Sequence, residues 1–340
     1  MAASLLEIRG LKVEIQTPNG LLHPVRGVDF SVAPGETLAI VGESGCGKSL
    51  TSLAIMGLLP RSARLTAERI ALHGDSLLGL SERSWRKARG ERIAMIFQDP
   101  MTALDPCYRI GAQMAEVLGQ HRKVSAEEAR ARCIALLGRV GISAPEQRLS
   151  QFPHQLSGGL RQRVMIAMAL ICEPEMIIAD EPTTALDVTI QAQILHLLAD
   201  IQRETRIGLI LISHDLGVVA GIAHRIAVMY GGQIVETGDR DAILGKPLHP
   251  YTEGLMRSVP MPGVTRRGET LGFIPGSVPR PAGALTRCGF LDRCPYAHDA
   301  CAASPVPLAS AFDGRSVRCV LPGDGSGRDP TAWTRLAESV

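Results

Sequence analysis

Apolar residues gather in short unbroken runs: ETLAIVG at Glu36–Gly42, EMIIAD at Glu175–Asp180 and GLILIS at Gly208–Ser213. Runs of this kind suit strands buried on both faces of a parallel sheet, because a strand with one wet face would alternate. ERIAMIF (Glu91–Phe97) and RIAVMY (Arg225–Tyr230) read as two more strands, and GGQIVETG after the latter reads as a hairpin. Residues 1–35 look different: LLEIRG, LKVEIQ and VRGVDFSVAPG are short strands joined by turns, with TPNG as one turn. Helices are predicted at Lys48–Leu58, ended near Pro60, and over TIQAQILHLLADIQRET, where Ile190, Ile194, Leu197, Leu198 and Ile201 share a face. From about Pro100 to Cys172 the spacing is helical throughout, as in AQMAEVLGQH and AEEARARCIALLGRVG, which predicts a helical insertion into an α/β core. Beyond about Pro247, proline, glycine and cysteine replace the long apolar runs, and a small appended region is expected there.

Composition removes several classes. The chain has 340 residues, with 36 basic against 34 acidic side chains. That balance does not suit a protein built to track a nucleic-acid backbone, and 4% aromatic residues leave little for base stacking. No segment approaches the ~20 apolar residues of a membrane span. MAASLLEIRG shows no basic segment followed by an apolar core, so the expectation is a cytosolic polypeptide that meets a membrane only through partners.

The cysteines form two groups. Cys46, Cys107, Cys133 and Cys172 are scattered and read as ordinary small side chains in a reduced compartment. Cys288, Cys294, Cys301 and Cys319 crowd into one C-terminal stretch.

The first chemical motif is GESGCGKS, comprising Gly42, Glu43, Ser44, Gly45, Cys46, Gly47, Lys48 and Ser49. It satisfies G-x-x-x-x-G-K-S between a strand and a helix. Small residues let successive N–H groups turn inward around phosphate oxygens, and the helix N-terminus adds a favourable dipole. Lys48 would reach the β- and γ-phosphates, and the Ser49 hydroxyl would bind Mg2+. A chance match arises in about one chain of this length in a hundred. The motif does not separate ATPases, GTPases and kinases.

The second motif is LSGGLRQR. Ser157, with the N–H groups of Gly158 and Gly159, forms another helix N-terminus fit for an anion. Followed by an apolar helix and IIADEP, it closely resembles the signature of the ATP-binding cassette family. The resemblance covers roughly residues 5–245. By that resemblance Gln98 in MIFQDP is the Q-loop glutamine linking metal and attacking water to a transmembrane partner. Asp180 is the Walker B aspartate that holds Mg2+, and Glu181 the glutamate that polarises the water. Asp187 in TALD lies at the D-loop across a dimer interface, and His214 in LISHD is the switch histidine at the γ-phosphate. Taken singly, Gln98 reads as a surface glutamine, Asp180–Glu181 as a strand-end acidic pair and His214 as a cap beside Asp215. Their joint order carries the assignment. One departure is visible: the family stacks adenine on an N-terminal aromatic residue, yet none precedes Phe30, and Ile15, or more weakly His23, takes that place.

The implied fold is α/β: a P-loop NTPase core of the ABC ATPase type, with an N-terminal antiparallel β subdomain, a helical signature subdomain at about 100–172 and a Cys-containing extension. Residues 1–245 would form the nucleotide-binding domain and 246–340 the extension. KPLHPYTEGLM (Lys246–Met256) and CGFLDRCPYAHDAC resemble the tail of ATPases from dipeptide, oligopeptide and nickel importers. Members of that subfamily imply a [4Fe–4S] cluster on Cys288, Cys294, Cys301 and Cys319, with zinc as the alternative and unligated thiols as the plain reading. The spacing matches neither a zinc ribbon nor a ferredoxin.

The resemblance further implies ATP and Mg2+ as cofactors, two transmembrane permease subunits, a second ATPase (a paralogue, giving a heterodimer) and an extracytoplasmic solute-binding protein. Ser157 and Gly159 would act in trans on the ATP of the other subunit. The place of work would be the cytoplasmic face of the bacterial inner membrane, held peripherally. Peptide uptake is the leading function, with uptake of nickel or another small solute as the alternative. A DNA-repair or translation ATPase is more remote, since no coiled coil, second cassette or basic linker is present.

Overall fold

Strand pairing follows the contrast in hydrophobic pattern. The computed structural model describes residues 4–184, 186–259, 272–279, 282–311, 313–321, 328, 332 and 333. They fall into two interleaved compact units, one of Met1–Leu5, Val32–Thr37 and Leu77–Ile212, the other of Leu6–Ser31, Leu38–Ser76 and Ser213–Val340.

In the first unit the apolar runs form parallel strands, Ile93–Ile96 beside Met176–Asp180 beside Gly208–Ser213. Every residue of these strands is buried. The segment read as a helical insertion carries helices Pro100–Ala103, Ile110–His121, Ala126–Arg139, Pro145–Arg148 and Gly158–Leu170, and no strand among its described residues. Ser125 caps the third of these by accepting from the Glu128 N–H. Helix Val188–Thr205 buries Ile194, Leu195, Leu198, Ile201 and Gln202. Its core stripe is thus displaced from the predicted one: Ile190 and Leu197 are only half-buried. Gln202 earns its buried place by donating to the Gly35 carbonyl.

The second unit holds two sheets. Leu6–Thr17 and Gly20–Val32 form a hairpin through Pro18–Asn19. Ala63–Thr66 and Arg69–Leu72 pair antiparallel with the first of these strands, and Asp75–Ser76 adds to the edge. LLEIRG and LKVEIQ are therefore one strand rather than two, with Gly10 at φ 59° absorbing the irregularity. In the other sheet, Thr37–Val41 runs parallel to Arg225–Tyr230, which turns through Gly231 and Gly232 into antiparallel Gln233–Asp239.

The C-terminal region builds onto this second sheet. Ser316–Val317 pairs with Thr237 and Glu236, and Ala309–Ser310 pairs with Ser316–Val317 in turn. The extension so covers an edge that would otherwise present unpaired backbone groups. Its Phe290 packs edge-on against Tyr230 with ring centroids 5.1 Å apart, and Trp333 is also buried. The extension and strand Arg225–Tyr230 thus share a cluster of buried rings.

Candidate active site

The loop Gly42–Gly47 leaves strand Thr37–Val41 and opens helix Lys48–Ile55. A Cβ on Gly42 would collide with the Met229 carbonyl oxygen. One on Gly47, which sits at φ 106°, would collide with the Pro24 carbonyl oxygen. Gly45 has open space around it but a φ of 81°. Two of the motif's glycines are thus demanded by backbone proximity and one by backbone conformation. Ser44 and Gly45 are exposed, whereas Cys46, Gly47 and Lys48 are buried. Lys48 Nζ donates to the carbonyls of Gly42 at 2.7 Å and Glu43 at 3.0 Å, and lies 3.8 Å from Cys46 Sγ. An ammonium is therefore fixed beside a helix N-terminus, where Ser49 occupies the first turn. Burial raises the Cys46 thiol pKa against the pull of Lys48.

Glu43 uses all three of its polar groups. Its N–H donates to Tyr251 Oη at 2.8 Å, its carbonyl accepts from Lys48, and its carboxylate accepts from both Arg293 terminal nitrogens at 2.7 and 3.0 Å. Tyr251 and Arg293 were not predicted as site residues. The sequence signals near them are KPLHPYTEGLM, which contains Tyr251, and CGFLDRCPYAHDAC, which contains Arg293.

In the first unit, strand Met176–Asp180 ends on a buried carboxylate, Asp180. Glu181 follows at φ 44°, a left-handed conformation that is uncommon outside glycine and concentrates at functional turns. Its N–H donates to the Ile212 carbonyl at 3.1 Å. Its Oε2 accepts from Gln98 Nε2 at 3.1 Å and from Thr184 Oγ1 at 3.0 Å. Gln98 is exposed just beyond strand Ile93–Ile96, so the structure joins two predicted residues and adds Thr184, which sequence reasoning missed.

The second motif is a helix N-terminus, as expected. Leu156 is buried, and Ser157 is the cap of helix Gly158–Leu170, accepting from the Leu160 N–H at 3.4 Å. A Cβ on Gly159 would come within 2.9 Å of Ile190 Cγ2, so this glycine permits helix Val188–Thr205 to pack close. Asp187 caps that second helix by accepting from the Ile190 N–H at 2.9 Å. Val188, next to it, is 82% exposed, which is unusual for an apolar side chain in a helix first turn.

His214 lies in the second unit and is exposed. It is not the local cap: Asp215 fills that role, accepting from the Gly217 N–H at 2.7 Å. Ile15 is half-buried opposite Ala63, and His23 Nδ1 is 3.5 Å from Glu14 Oε1.

Cys288, Cys294, Cys301 and Cys319 line one small, mainly apolar cavity with His249, Phe290 and Tyr296. Burial pushes the Cys294 thiol up to about 12, and the neighbouring thiols add to the effect. Cys288 and Cys319 are raised in the same way. The donor set suits a thiophilic group, yet the cavity is only about 10 Å³, and among the described residues no three His, Cys, Asp or Glu are arranged to hold a metal ion. The predicted [4Fe–4S] cluster gains no support from this geometry.

Comparison with known proteins follows the same division. Residues 25–184 match the family described as ABC transporter, and residues 235–301 match the oligopeptide/dipeptide transporter C-terminal region. The dipeptide transport ATP-binding protein DppD of Escherichia coli (strain K12) is 47% identical over 327 residues, 96% of this chain and 99% of that protein. The oligopeptide transport ATP-binding protein AppD of Bacillus subtilis (strain 168) is 47% identical over 320 residues, 94% and 97% of the two chains. Among solved structures, the ATP-binding cassette MJ0796, in a dimeric post-hydrolysis state bound to ADP and Pi, is 26% identical with a TM-score of 0.62. It covers 69% of this chain and 98% of its own.

Proposed function

The chain belongs to the ABC transporter family, in the branch that carries the oligopeptide/dipeptide transporter C-terminal region, and from that membership we propose that it is the ATP-hydrolysing subunit of a peptide importer. It is an ATPase of the cassette type. The observation that carries the mechanistic reading is the fixing of Glu181 by Gln98 and Thr184 at the end of the Asp180 strand.

Phosphoryl transfer needs positioning and charge compensation more than covalent chemistry from the protein. The N–H groups of Gly42–Ser49 and the Lys48 ammonium cradle the phosphates. By family membership the Ser49 hydroxyl, the Asp180 carboxylate and Gln98 would hold Mg2+, which would supply charge neutralisation when bound. Glu181 orients and polarises the attacking water, and His214 contacts the γ-phosphate. Ser157, Gly158 and Gly159 serve the ATP of a second ATPase subunit, with Asp187 at that interface. MJ0796 is described as a dimer, and the exposed Val188 beside Asp187 supports a like arrangement. Moving such a pair from mostly open to mostly closed takes about 5.5 kcal/mol of differential binding.

Transport subunits of this type work with membrane permeases. Two permease subunits, a paralogous ATPase and an extracytoplasmic solute-binding protein complete the assembly. No helix among the described residues is long and apolar enough to cross a membrane, and the chain sits peripherally at the cytoplasmic face. Capture of the chain from solubilised membranes, with identification of co-purifying proteins and an uptake assay with labelled dipeptide, tests this reading. Loss of dipeptide uptake on deletion, restored by the wild-type chain, is the expected result. Unchanged uptake would remove peptide import as the function.

The four thiols around one cavity support a thiolate-bound group in the extension. That group is a [4Fe–4S] cluster or, as the alternative, a zinc ion. Iron and zinc content of anaerobically purified protein decides between them.

A further inference from the structure

We propose that Arg293 and Tyr251, both from the C-terminal extension, are positioning residues of the nucleotide site, setting the phosphate cradle through Glu43. This rests on the reading of Gly42–Ser49 as the ATP site.

A carboxylate inside an anion-binding loop is a physical problem. Glu43 is next to Gly42 in a loop that must receive several phosphate charges, and an untethered side chain there would repel them. Arg293 resolves this by a forked, bidentate pairing, which fixes direction as well as neutralising charge. The guanidinium is itself immobilised. It is 5% exposed, and it donates to the carbonyls of Pro275 at 2.7 Å and Ile274 at 3.1 Å. It also lies over the Tyr230 ring at 5.7 Å. A donor held on so many sides acts as a fixed point for Glu43 rather than a mobile counter-charge.

Tyr251 secures the main chain of the same residue. The tyrosine is fully buried, tilted against Tyr230 with centroids 4.6 Å apart, and its hydroxyl accepts the Glu43 N–H at 2.8 Å. The Glu43 carbonyl in turn receives Lys48 Nζ at 3.0 Å. The connected path is therefore extension, Glu43, Lys48: moving Glu43 moves the ammonium expected to meet the phosphates. Arg293 also ends the short turn Leu291–Arg293 that leads into Cys294, so its position is tied to the thiol-lined cavity.

The test compares full-length wild type with Tyr251→Phe, Arg293→Lys, Glu43→Ala and Lys48→Ala. ATP affinity is read by titration with a fluorescent ATP analogue, kcat and KM by phosphate release, and folding by thermal melting. Tyr251→Phe removes one acceptor and should weaken ATP binding roughly 3–10-fold. Arg293→Lys replaces a fork by a point charge and should weaken it about tenfold or more, with kcat at saturating ATP changed less than about threefold. In the Glu43→Ala background, Arg293→Lys should add nothing, since its target is gone. Folded Tyr251→Phe and Arg293→Lys proteins with wild-type ATP affinity would overturn the proposal, as would a fall in kcat at unchanged affinity. If Arg293→Lys melts early, Tyr251→Phe alone decides. Lys48→Ala separates the two levels: wild-type affinity in that variant overturns the cradle reading itself, whereas its loss beside unaffected Arg293 and Tyr251 variants overturns only this proposal.

Discussion

Gln98 Nε2 and Glu181 Oε2 are 3.1 Å apart, although 83 residues separate them in the chain. The same carboxylate oxygen takes the Thr184 hydroxyl at 3.0 Å. Two donors thus fix this oxygen, and the Glu181 backbone is left-handed at φ 44°. As the proposed general base, Glu181 would gain from being held by these two bonds, since a base works best when its position is fixed.

Glu181→Gln should therefore keep ATP affinity within about threefold while lowering turnover by a factor on the order of 10²–10⁴, the usual range for general-base contributions. The variant should also accumulate as an ATP-bound dimer. Size-exclusion chromatography with ATP and a phosphate-release assay read both properties, and near-normal turnover would remove Glu181 from the base role.

Thr184→Val deletes one hydrogen bond to Glu181 while keeping side-chain volume. A single bond of this kind contributes about 0.5–1.5 kcal/mol, so kcat should fall roughly 2–12-fold with the KM for ATP unchanged. A change in KM alone would mean that Thr184 acts on nucleotide binding instead.

How much of this was legible in the chain depends on distance along it. The cradle was readable because its glycines, lysine and serine act within eight consecutive residues, and the backbone reasons for Gly42 and Gly47 are local to that turn. Gln98, Asp180, Glu181, Asp187 and His214 are singled out only as an ordered set, and their proposed roles rest on that order. Thr184 was not, because its contact depends on the left-handed φ of Glu181, which no side-chain pattern announces. Strands such as Ala63–Thr66 and Arg69–Leu72 are four residues each, too short for an alternation to register. The Arg293–Glu43 pair spans 250 residues and follows no period. The extension looked unable to support a large core because its two edge strands and buried rings are contributed to a sheet that other segments begin.

The two backbone-crowded glycines can be separated from the conformational one. Gly47→Ala puts a Cβ against the Pro24 carbonyl oxygen at a φ of 106°, so it should destabilise by about 2–4 kcal/mol and abolish ATP binding. Gly45→Ala meets no neighbouring atom and carries only its left-handed backbone, costing about 1–2 kcal/mol. Melting temperatures of the two variants should differ by several degrees, with Gly47→Ala the lower; the reverse order would contradict the loop geometry.

Thiol chemistry offers a separate check on the extension. Cys107 is exposed, whereas Cys294 is pushed up to about 12 by burial and by the thiols around it. A raised thiol pKa depletes the thiolate below that value, and the thiolate is the reactive form. In native protein treated with chelator at pH 8, maleimide should label Cys107 within minutes and leave Cys294 largely unlabelled until denaturant is added. Mass spectrometry of the labelled peptides gives the order. Equal labelling rates would show that the Cys294 thiol is as accessible and reactive as that of Cys107.

Glu236 joins the hairpin to the start of the tail helix, and its removal should be felt at both ends. It is fully buried on strand Gln233–Asp239 and accepts from the N–H groups of Leu248 at 2.7 Å and His249 at 2.9 Å, immediately before helix Pro250–Arg257. Arg315 lies 3.7 Å away and is also bonded to Asp313, so the carboxylate has a partly shared counter-charge. Glu236→Ala leaves two buried N–H groups without their acceptor at about 1–3 kcal/mol each, and a total of roughly 2–6 kcal/mol is expected. Glu236→Gln keeps one acceptor and should cost less. Because Tyr251 is the second residue of that helix, the surviving folded fraction should also bind ATP more weakly. Paired thermal melts and ATP titrations on both variants test the link. A destabilised Glu236→Ala protein whose affinity matches wild type would mean that Tyr251 stays on Glu43 without the Glu236 anchor.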